Sequence, residues 1–363
     1  MSTINTYLHT LTPILPAKAY PQGTLVNWML AAHQQAALLT QEHCEKRRLK
    51  RFALSESYIS VRYMECPDAG GDWQDHEIYR IDQLTPQGLD IKSRADFFSS
   101  RALKRLQESY SKRDIPDHFI HVTCTGYVSP SAPQLYFAQA QMAPSITHAY
   151  HMGCYASLPA LRLARALSSD GKTVDIFHNE MCSLHMNPTN HSPEQIVVET
   201  LFADGHINYR VSTEKKGMRI IGIKEKIIPD SALDMSWIPS ASGMKMTLSR
   251  EVPVKIQDNI LPFVMEMVQE FGLDLALLIK HAVFAIHPGG PRIIELVRTK
   301  LELREEQIKE SNKILYERGN MSSATLPHIW HEITQNNYPS GTYVISLAFG
   351  PGLTVFGSIF EVV

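Results

Sequence analysis

Cysteine is scarce in this chain: Cys44, Cys66, Cys124, Cys154 and Cys182 are the five present in 363 residues. So sparse and odd-numbered a set argues against a disulfide framework, and in a reducing compartment most such thiols are small buried hydrophobes. Net charge is scarce as well. Lys and Arg number 35 against 37 Asp and Glu, a balance of −2, which gives no basic field for a nucleic-acid partner. No apolar run is long enough to span a membrane. Between Met1 and Pro21 there is no basic segment followed by a continuous apolar core, so no signal peptide is expected and the expectation is a cytoplasmic protein. What remains is ordinary globular composition, 44% hydrophobic and 20% charged, with length for one large domain or two packed halves.

Residues 1 to about 54 read as mostly helical after a Pro-containing start, and Glu45 to Arg51 form a basic cluster. Such a cluster is usually a solvated helix face; the alternative is the mouth of a site for a phosphate-bearing substrate or an acidic carrier protein. Residues 69–89 read as irregular loop and 96–110 as a charged amphipathic helix. From His118 onward, buried strands alternate with helices: strands at 119–123, 147–151, 172–177, 207–211 and 218–223, helices at 133–142, 158–167 and 194–201. The second part repeats the rhythm. It has a helix at 257–271, the apolar run Ala282 to Ile286, helices at 292–301, 304–318 and 320–334, and closing strands at 342–349 and 353–362. Such alternation specifies an α/β protein.

Three residues stand at strand ends or helix starts, where α/β folds place chemistry. Cys154 follows Gly153 just before a helix, whose unpaired N–H groups would favour a thiolate. His287 directly follows the apolar strand and precedes Pro288-Gly289-Gly290-Pro291. Asn320 follows Gly319 at a helix start. Each alone has a plain reading. A lone Cys packs, a His after a strand makes structural hydrogen bonds, and an Asn there caps a helix by accepting from the N–H of Ser322 or Ser323.

Together, the trio and its flanks resemble the type III polyketide synthases, the chalcone synthase-like branch of the thiolase superfamily. The resemblance runs from about Ile120 to Val363. It is carried by Gly153-Cys154-Tyr155-Ala156 with Leu161-Arg162-Leu163-Ala164, by Leu201-Phe202-Ala203-Asp204-Gly205, and by His287-Pro288-Gly289-Gly290-Pro291. Gly319-Asn320-Met321-Ser322-Ser323-Ala324 and Phe349-Gly350-Pro351-Gly352-Leu353-Thr354 complete it. The resemblance implies a homodimer of a thiolase-like five-layered αβαβα fold with two similar halves. Residues 1–220 would carry the nucleophilic Cys, and residues 221–363 the His and Asn. Cys154 would hold the acyl group as a thioester. His287 would pair with its thiolate. His287 and Asn320 would donate to the thioester oxygen that turns negative when a malonyl unit loses CO₂. The enolate would then attack acyl-Cys154, a decarboxylative Claisen condensation. No cofactor is implied beyond the coenzyme A or phosphopantetheine thioesters that are the substrates.

The pocket departs from the family pattern. Phe202 matches a phenylalanine between pocket and entry tunnel, but Met246 replaces a second gating phenylalanine. Trp237 stands at a usual glycine, Cys182 and His185 at usual threonines, and Ser129 at the methionine that crosses into the partner's pocket. Ser322, two residues after Asn320, is also expected in the pocket wall. The basic residues that usually hold coenzyme A near Arg62 are mostly absent, with Ser60 and Val61 in their place. Arg292 could supply charge at the tunnel mouth, and the donor could be an acyl carrier protein. A filled pocket suggests few condensations or an unusual acyl chain. The alternative within the superfamily is a single-condensation ketosynthase of the β-ketoacyl-carrier-protein synthase III type. A papain-like hydrolase fits the order Cys, His, Asn but not the flanking residues. A non-catalytic partner subunit conflicts with the intact trio. His178, Cys182, His185 and His191 have spacings that could ligate zinc, although no metal is expected.

Overall fold

A computed structural model describes residues 4–111 and 113–363. The Pro-containing start is strand, and helix follows it as expected. The first segment forms strands β1 (Tyr7–Ile14) and β2 (Lys18–Pro21) before helices α1 (Gln22–Thr40) and α2 (Lys46–Lys50). Then come β3 (Val61–Met64), α3 (Ile91–Tyr110), β4 (His118–Thr123), α4 (Ala132–Gln139), β5 (Ser145–Tyr150), α5 (Ser157–Leu167), β6 (Val174–Met181), α6 (Pro193–Leu201), β7 (Asp204–Ser212) and β8 (Met218–Ile227). A hairpin of β9 (Met235–Ser240) and β10 (Gly243–Leu248) precedes α7 (Val252–Glu270), α8 (Leu275–His281), β11 (Val283–Ile286), α9 (Pro291–Lys300), α10 (Lys309–Arg318), α11 (Thr325–Gln335), β12 (Tyr343–Gly350) and β13 (Thr354–Val362).

Nine strands bond in the order β11-β12-β13-β8-β1-β7-β6-β4-β5. The centre of that order is its weakest joint: β1 and β8 pair only at Tyr7–Arg219 and Leu8–Met218. On either side the pairing senses repeat. β4 runs parallel to β6, β6 antiparallel to β7, and β7 antiparallel to β1. Likewise β11 runs parallel to β12, β12 antiparallel to β13, and β13 antiparallel to β8.

Strands β4, β6, β7, β11, β12 and β13 are buried on both faces, and alternate side chains enter different layers. Ile120 and Val122 of β4, Val283 and Ala285 of β11, and Phe356 and Phe360 of β13 join one central core with Leu158 and Leu161 of α5 and Ile329 and Trp330 of α11. Their neighbours Phe119 and Phe177 face outward to Leu106 and Tyr110 of α3. Phe284, Ile286, Val355 and Ile359 face outward to Phe263, Val264 and Met267 of α7. Helix, sheet, shared helices, sheet and helix are the five layers of a thiolase-like fold.

β6 extends beyond the expected apolar stretch through His178, Asn179 and Glu180, all fully buried. Each of these side chains has at least one partner on a neighbouring element, although Asn179 Oδ1 is left unpaired. His178 bonds Ser323 Oγ and Tyr209 OH, both at 3.0 Å, and Asn179 bonds His206 at 3.1 Å. Buried polar groups persist in a strand when satisfied in this way.

Candidate active site

Cys154 lies in the turn joining β5 to α5, three residues before the helix begins and almost fully buried. The turn needs a glycine before it. Gly153 has φ +80°, and a Cβ there would meet Pro351 Cδ at 2.6 Å, so both conformation and contact exclude a side chain. Its N–H donates to Cys124 Sγ at 3.0 Å. Cys154 Sγ lies 3.9 Å from Ser322 Oγ.

His287 stands at the end of β11, where its N–H donates to Leu347 O of β12 at 2.8 Å. Asn320 is fixed by a short bridge to the chain after α6. Its N–H donates to Leu201 O at 3.0 Å and its carbonyl accepts from Ala203 N–H at 2.8 Å. The Asn320 Oδ1 accepts from Ser322 N–H at 2.8 Å. The amide therefore turns its Nδ2 away from the backbone. Capping and chemistry are compatible in this residue, one atom for each.

Asn320 Nδ2 and both ring nitrogens of His287 are buried without a hydrogen-bond partner. Such orphans are costly and rare in a folded interior. All three belong to residues that line, with Cys154, a single cavity of about 720 Å³. A bound oxygen would satisfy them.

Burial governs the proton positions. It pushes the Cys154 thiol up to about 12, against the nearby polar groups of Ser322 and Asn320, which favour the thiolate, and it pulls His287 down to about 3. The helix-start effect expected to favour a thiolate is thus outweighed by desolvation, and the free site holds neutral thiol and neutral imidazole. Alkylation of Cys154 by iodoacetamide, followed by peptide mass spectrometry, should accelerate about tenfold per pH unit between roughly pH 6 and 9. A rate independent of pH over that range would mean that the thiolate–imidazolium pair is already formed.

The remaining expected residues separate into three groups. Phe202 and Met246 line the 720 Å³ cavity with the trio, and Arg292 sits exposed at its mouth. Ser322, Cys182 and Trp237 meet Cys154 around a small cavity of about 30 Å³ beyond it. Trp237 Nε1 donates to Cys124 O at 2.6 Å, and His185 packs edge-on against the indole at 5.4 Å. His185 is spent structurally: Nε2 donates to Thr125 O at 2.9 Å and Nδ1 accepts from Met244 N–H at 3.1 Å. Ser129 is exposed and does not line the cavities that hold the trio in its own chain. The four zinc-spaced residues do not converge, and among the described residues no group of three or more ligating side chains is arranged for a metal.

Three groups were not singled out by the sequence. Arg51, part of the ambiguous basic cluster, and Arg250 join Arg292 in lining the same cavity. Glu180 lies behind Cys154. It accepts from Cys124 N–H at 3.0 Å, from Thr125 Oγ1 at 2.9 Å and from Ser323 Oγ, yet burial still pushes its carboxyl up to about 7. Position on a fully buried strand gives no sequence signal for it.

Residues 220–363 match the family model of the C-terminal domain of chalcone and stilbene synthases. Type III polyketide synthase C of Arabidopsis thaliana is 28% identical over 254 residues, 66% of this chain and 66% of that protein. The chain is thus similar to the type III polyketide synthases, most specifically over its C-terminal part. Type III polyketide synthase A of the same plant is 27% identical over 220 residues, 57% of this chain and 55% of that protein. Both matches span less than two thirds of the relative's length. Three solved structures share the fold, two of them described as type III polyketide synthases. PKS-I from the brown alga Ectocarpus siliculosus superposes with TM-score 0.86 at 20% identity, covering both chains fully. The C-terminal type III domain of Steely1 from Dictyostelium gives 0.84 at 22% identity over 99% of each chain. Tetrahydroxynaphthalene synthase from Streptomyces coelicolor gives 0.80 at 20% identity, covering 98% of this chain and 99% of its own.

Proposed function

We propose that this protein is an acyltransferase that makes carbon–carbon bonds by decarboxylative condensation of malonyl thioesters onto acyl-Cys154. The observation that carries the reading is the set of unpartnered donors, Asn320 Nδ2 and the His287 ring, lining one cavity with a buried thiol. His287 takes the Cys154 proton as the sulfur attacks an acyl thioester, and the carrier thiol leaves protonated. A malonyl thioester then places its carbonyl oxygen between His287 and Asn320. Loss of CO₂ makes that oxygen an enolate, which the two donors stabilise. The enolate carbon attacks the acyl carbonyl, and the Cys154 sulfur leaves and recovers its proton. Among the described residues, the only acidic side chain lining the cavity is Glu194 on the first turn of α6, so no carboxylate sits beside the malonyl carboxylate.

Incubation with acyl and malonyl thioesters, followed by mass spectrometry of protein and products, tests this. The acyl mass should appear on Cys154, and products should carry more than one added malonyl-derived unit. A single addition would favour the β-ketoacyl-carrier-protein synthase III type, and no acylation would overturn the reading. Trp237 and His185 leave little room beyond the sulfur, which supports a small number of extensions.

The tunnel mouth supports a phosphate-bearing donor, coenzyme A or the phosphopantetheine of an acyl carrier protein. Arg51, Arg250 and Arg292 are its cations. Arg51→Ala and Arg292→Ala should each raise KM for acyl-coenzyme A about tenfold. Each should leave KM for a short N-acetylcysteamine thioester, which has no phosphate, unchanged in steady-state assays.

The repeated strand pairing supports two halves, the second beginning with β8 rather than within it. Edge strand β5 is only partly covered, and a paired edge avoids open aggregation, which supports a homodimer joined there with Ser129 near the partner. A free thiol nucleophile fits a reducing, cytoplasmic setting; no helix among the described residues is long and apolar enough to cross a membrane.

A further inference from the structure

Three of the chain's five cysteines, Cys124, Cys154 and Cys182, line one void of about 30 Å³. All three are free thiols. Packing accounts for a single buried cysteine, but not for three that meet at one point.

Cys124 is the one tied to the turn that carries Cys154. Its Sγ accepts from the N–H of Gly153, one residue before Cys154, at 3.0 Å. Its backbone is pinned on both sides. The N–H donates to Glu180 Oε2 at 3.0 Å, and the carbonyl accepts from Tyr127 OH at 2.8 Å and from Trp237 Nε1 at 2.6 Å. The turn itself is held where Gly153 meets Pro351. What stays free is rotation of two short side chains about their Cα–Cβ bonds, across the void they share. No hydrogen bond among the described residues ties Cys182 to that turn.

The two sulfurs differ in access. Cys154 also lines the 720 Å³ cavity, with Arg51 and Arg292 at its mouth, and Cys124 does not. A small oxidant entering by the mouth meets Cys154 first.

We propose that Cys124 is a resolving cysteine, which answers peroxide oxidation of Cys154 by closing a Cys124–Cys154 disulfide. The Cys154 sulfur attacks one oxygen of hydrogen peroxide while its proton passes to His287. The O–O bond breaks, and the departing hydroxide takes that proton and leaves as water. Cys154 is then a sulfenic acid. The Cys124 sulfur attacks the Cys154 sulfur, the S–O bond breaks, and the second hydroxide leaves as water with the Cys124 proton. Two thiols have lost two electrons, and the peroxide has gained them. A dithiol reductant restores both thiols. Transient, redox-sensing disulfides of this kind are the ones that occur in reducing compartments. The bond keeps Cys154 from the irreversible sulfinic and sulfonic states.

Peptide mapping of the full-length protein tests this. The reduced protein is exposed to hydrogen peroxide, its remaining thiols are blocked with N-ethylmaleimide, and it is digested with chymotrypsin without reduction. Chymotrypsin is needed because no Lys or Arg lies between the two cysteines. Mass spectrometry should find a peptide pair joined through Cys124 and Cys154, which dithiothreitol separates. In Cys124→Ser, whose hydroxyl still accepts from Gly153 N–H, Cys154 should accumulate as sulfinic acid. The fraction of Cys154 that dithiothreitol recovers should then fall about tenfold or more. Cys182→Ser should form the joined pair as the wild type does. A bond from Cys154 to Cys182 would overturn the proposal. So would sulfinic acid forming on Cys154 of the wild type with no joined pair, a result that the wild-type digest gives even where Cys124→Ser fails to fold.

Discussion

Cys154→Ala should stop carbon–carbon bond formation while malonyl thioesters continue to lose CO₂. The two steps use different atoms. In the proposed mechanism acyl transfer needs the sulfur, whereas enolate formation needs only the donors of His287 and Asn320. Those donors are positioned without help from Cys154: His287 by its bond to β12, and Asn320 by Leu201 and Ala203. Alanine removes one buried sulfur and leaves the Gly153 turn in place. Condensation should fall by about 10⁴-fold or more. Release of labelled CO₂ from malonyl thioester should stay within about tenfold of the wild-type rate, because its stabilising groups remain. Equal loss of both activities would show that the sulfur takes part in decarboxylation or holds the donors in place.

Asn320→Asp should show the reverse pattern. The substituted carboxylate keeps an oxygen to accept from Ser322 N–H, so the local turn is retained. It puts a second acceptor in place of the Nδ2 donor and adds negative charge where the enolate forms. Removal of one such donor typically costs about 10²–10³-fold, and decarboxylation should fall at least that far. Transfer of an acyl group to Cys154, read by intact mass, should persist at a reduced rate. Asn320→Ala is the less informative variant, since it also strips the buried Ser322 N–H of its acceptor, a cost of about 1–3 kcal/mol. Decarboxylation unchanged in Asn320→Asp would remove Asn320 from the chemistry.

Apolar continuity and glycine-rich turns made much of this molecule legible from residues alone. Ala282 to Ile286 reads as a buried strand, found at Val283–Ile286, and the motif after it marks a strand end. The places that resisted reading share a cause, which is that their physics depends on partners distant in the chain. β1 carries His9, Thr10 and Thr12, and His9 is buried only because Ser212 of β7 meets it at 2.8 Å. β6 looks too polar beyond Phe177 until Ser323, Tyr209 and His206 are brought alongside. The β9–β10 hairpin has a Pro and a scatter of polar residues; its inward row of Met235, Trp237, Met246 and Leu248 is visible only through the pairing of Trp237 with Met246. Arg51 reads as ordinary surface charge, and its place on the tunnel mouth comes from the fold of the chain after α2 against α6. The trio was legible because turns announce it; the walls were not, because side chains from many separate elements build them.

The short bridge between the residues around Phe202 and Asn320 has a consequence for inheritance. Two backbone hydrogen bonds lock the asparagine of the later segment against the gate residue of the earlier one, while the sulfur and the imidazole come from opposite sides of the weak β1–β8 joint. The two parts repeat one strand pairing, but the candidate trio draws residues from both. Genes for the two parts could be separated only if their products reassembled across that bridge. Recombination that exchanged one part for a distant counterpart would have to preserve the backbone fit at Leu201, Ala203 and Asn320. The strand pairing is repeated, while the candidate trio is built only once, across both repeats.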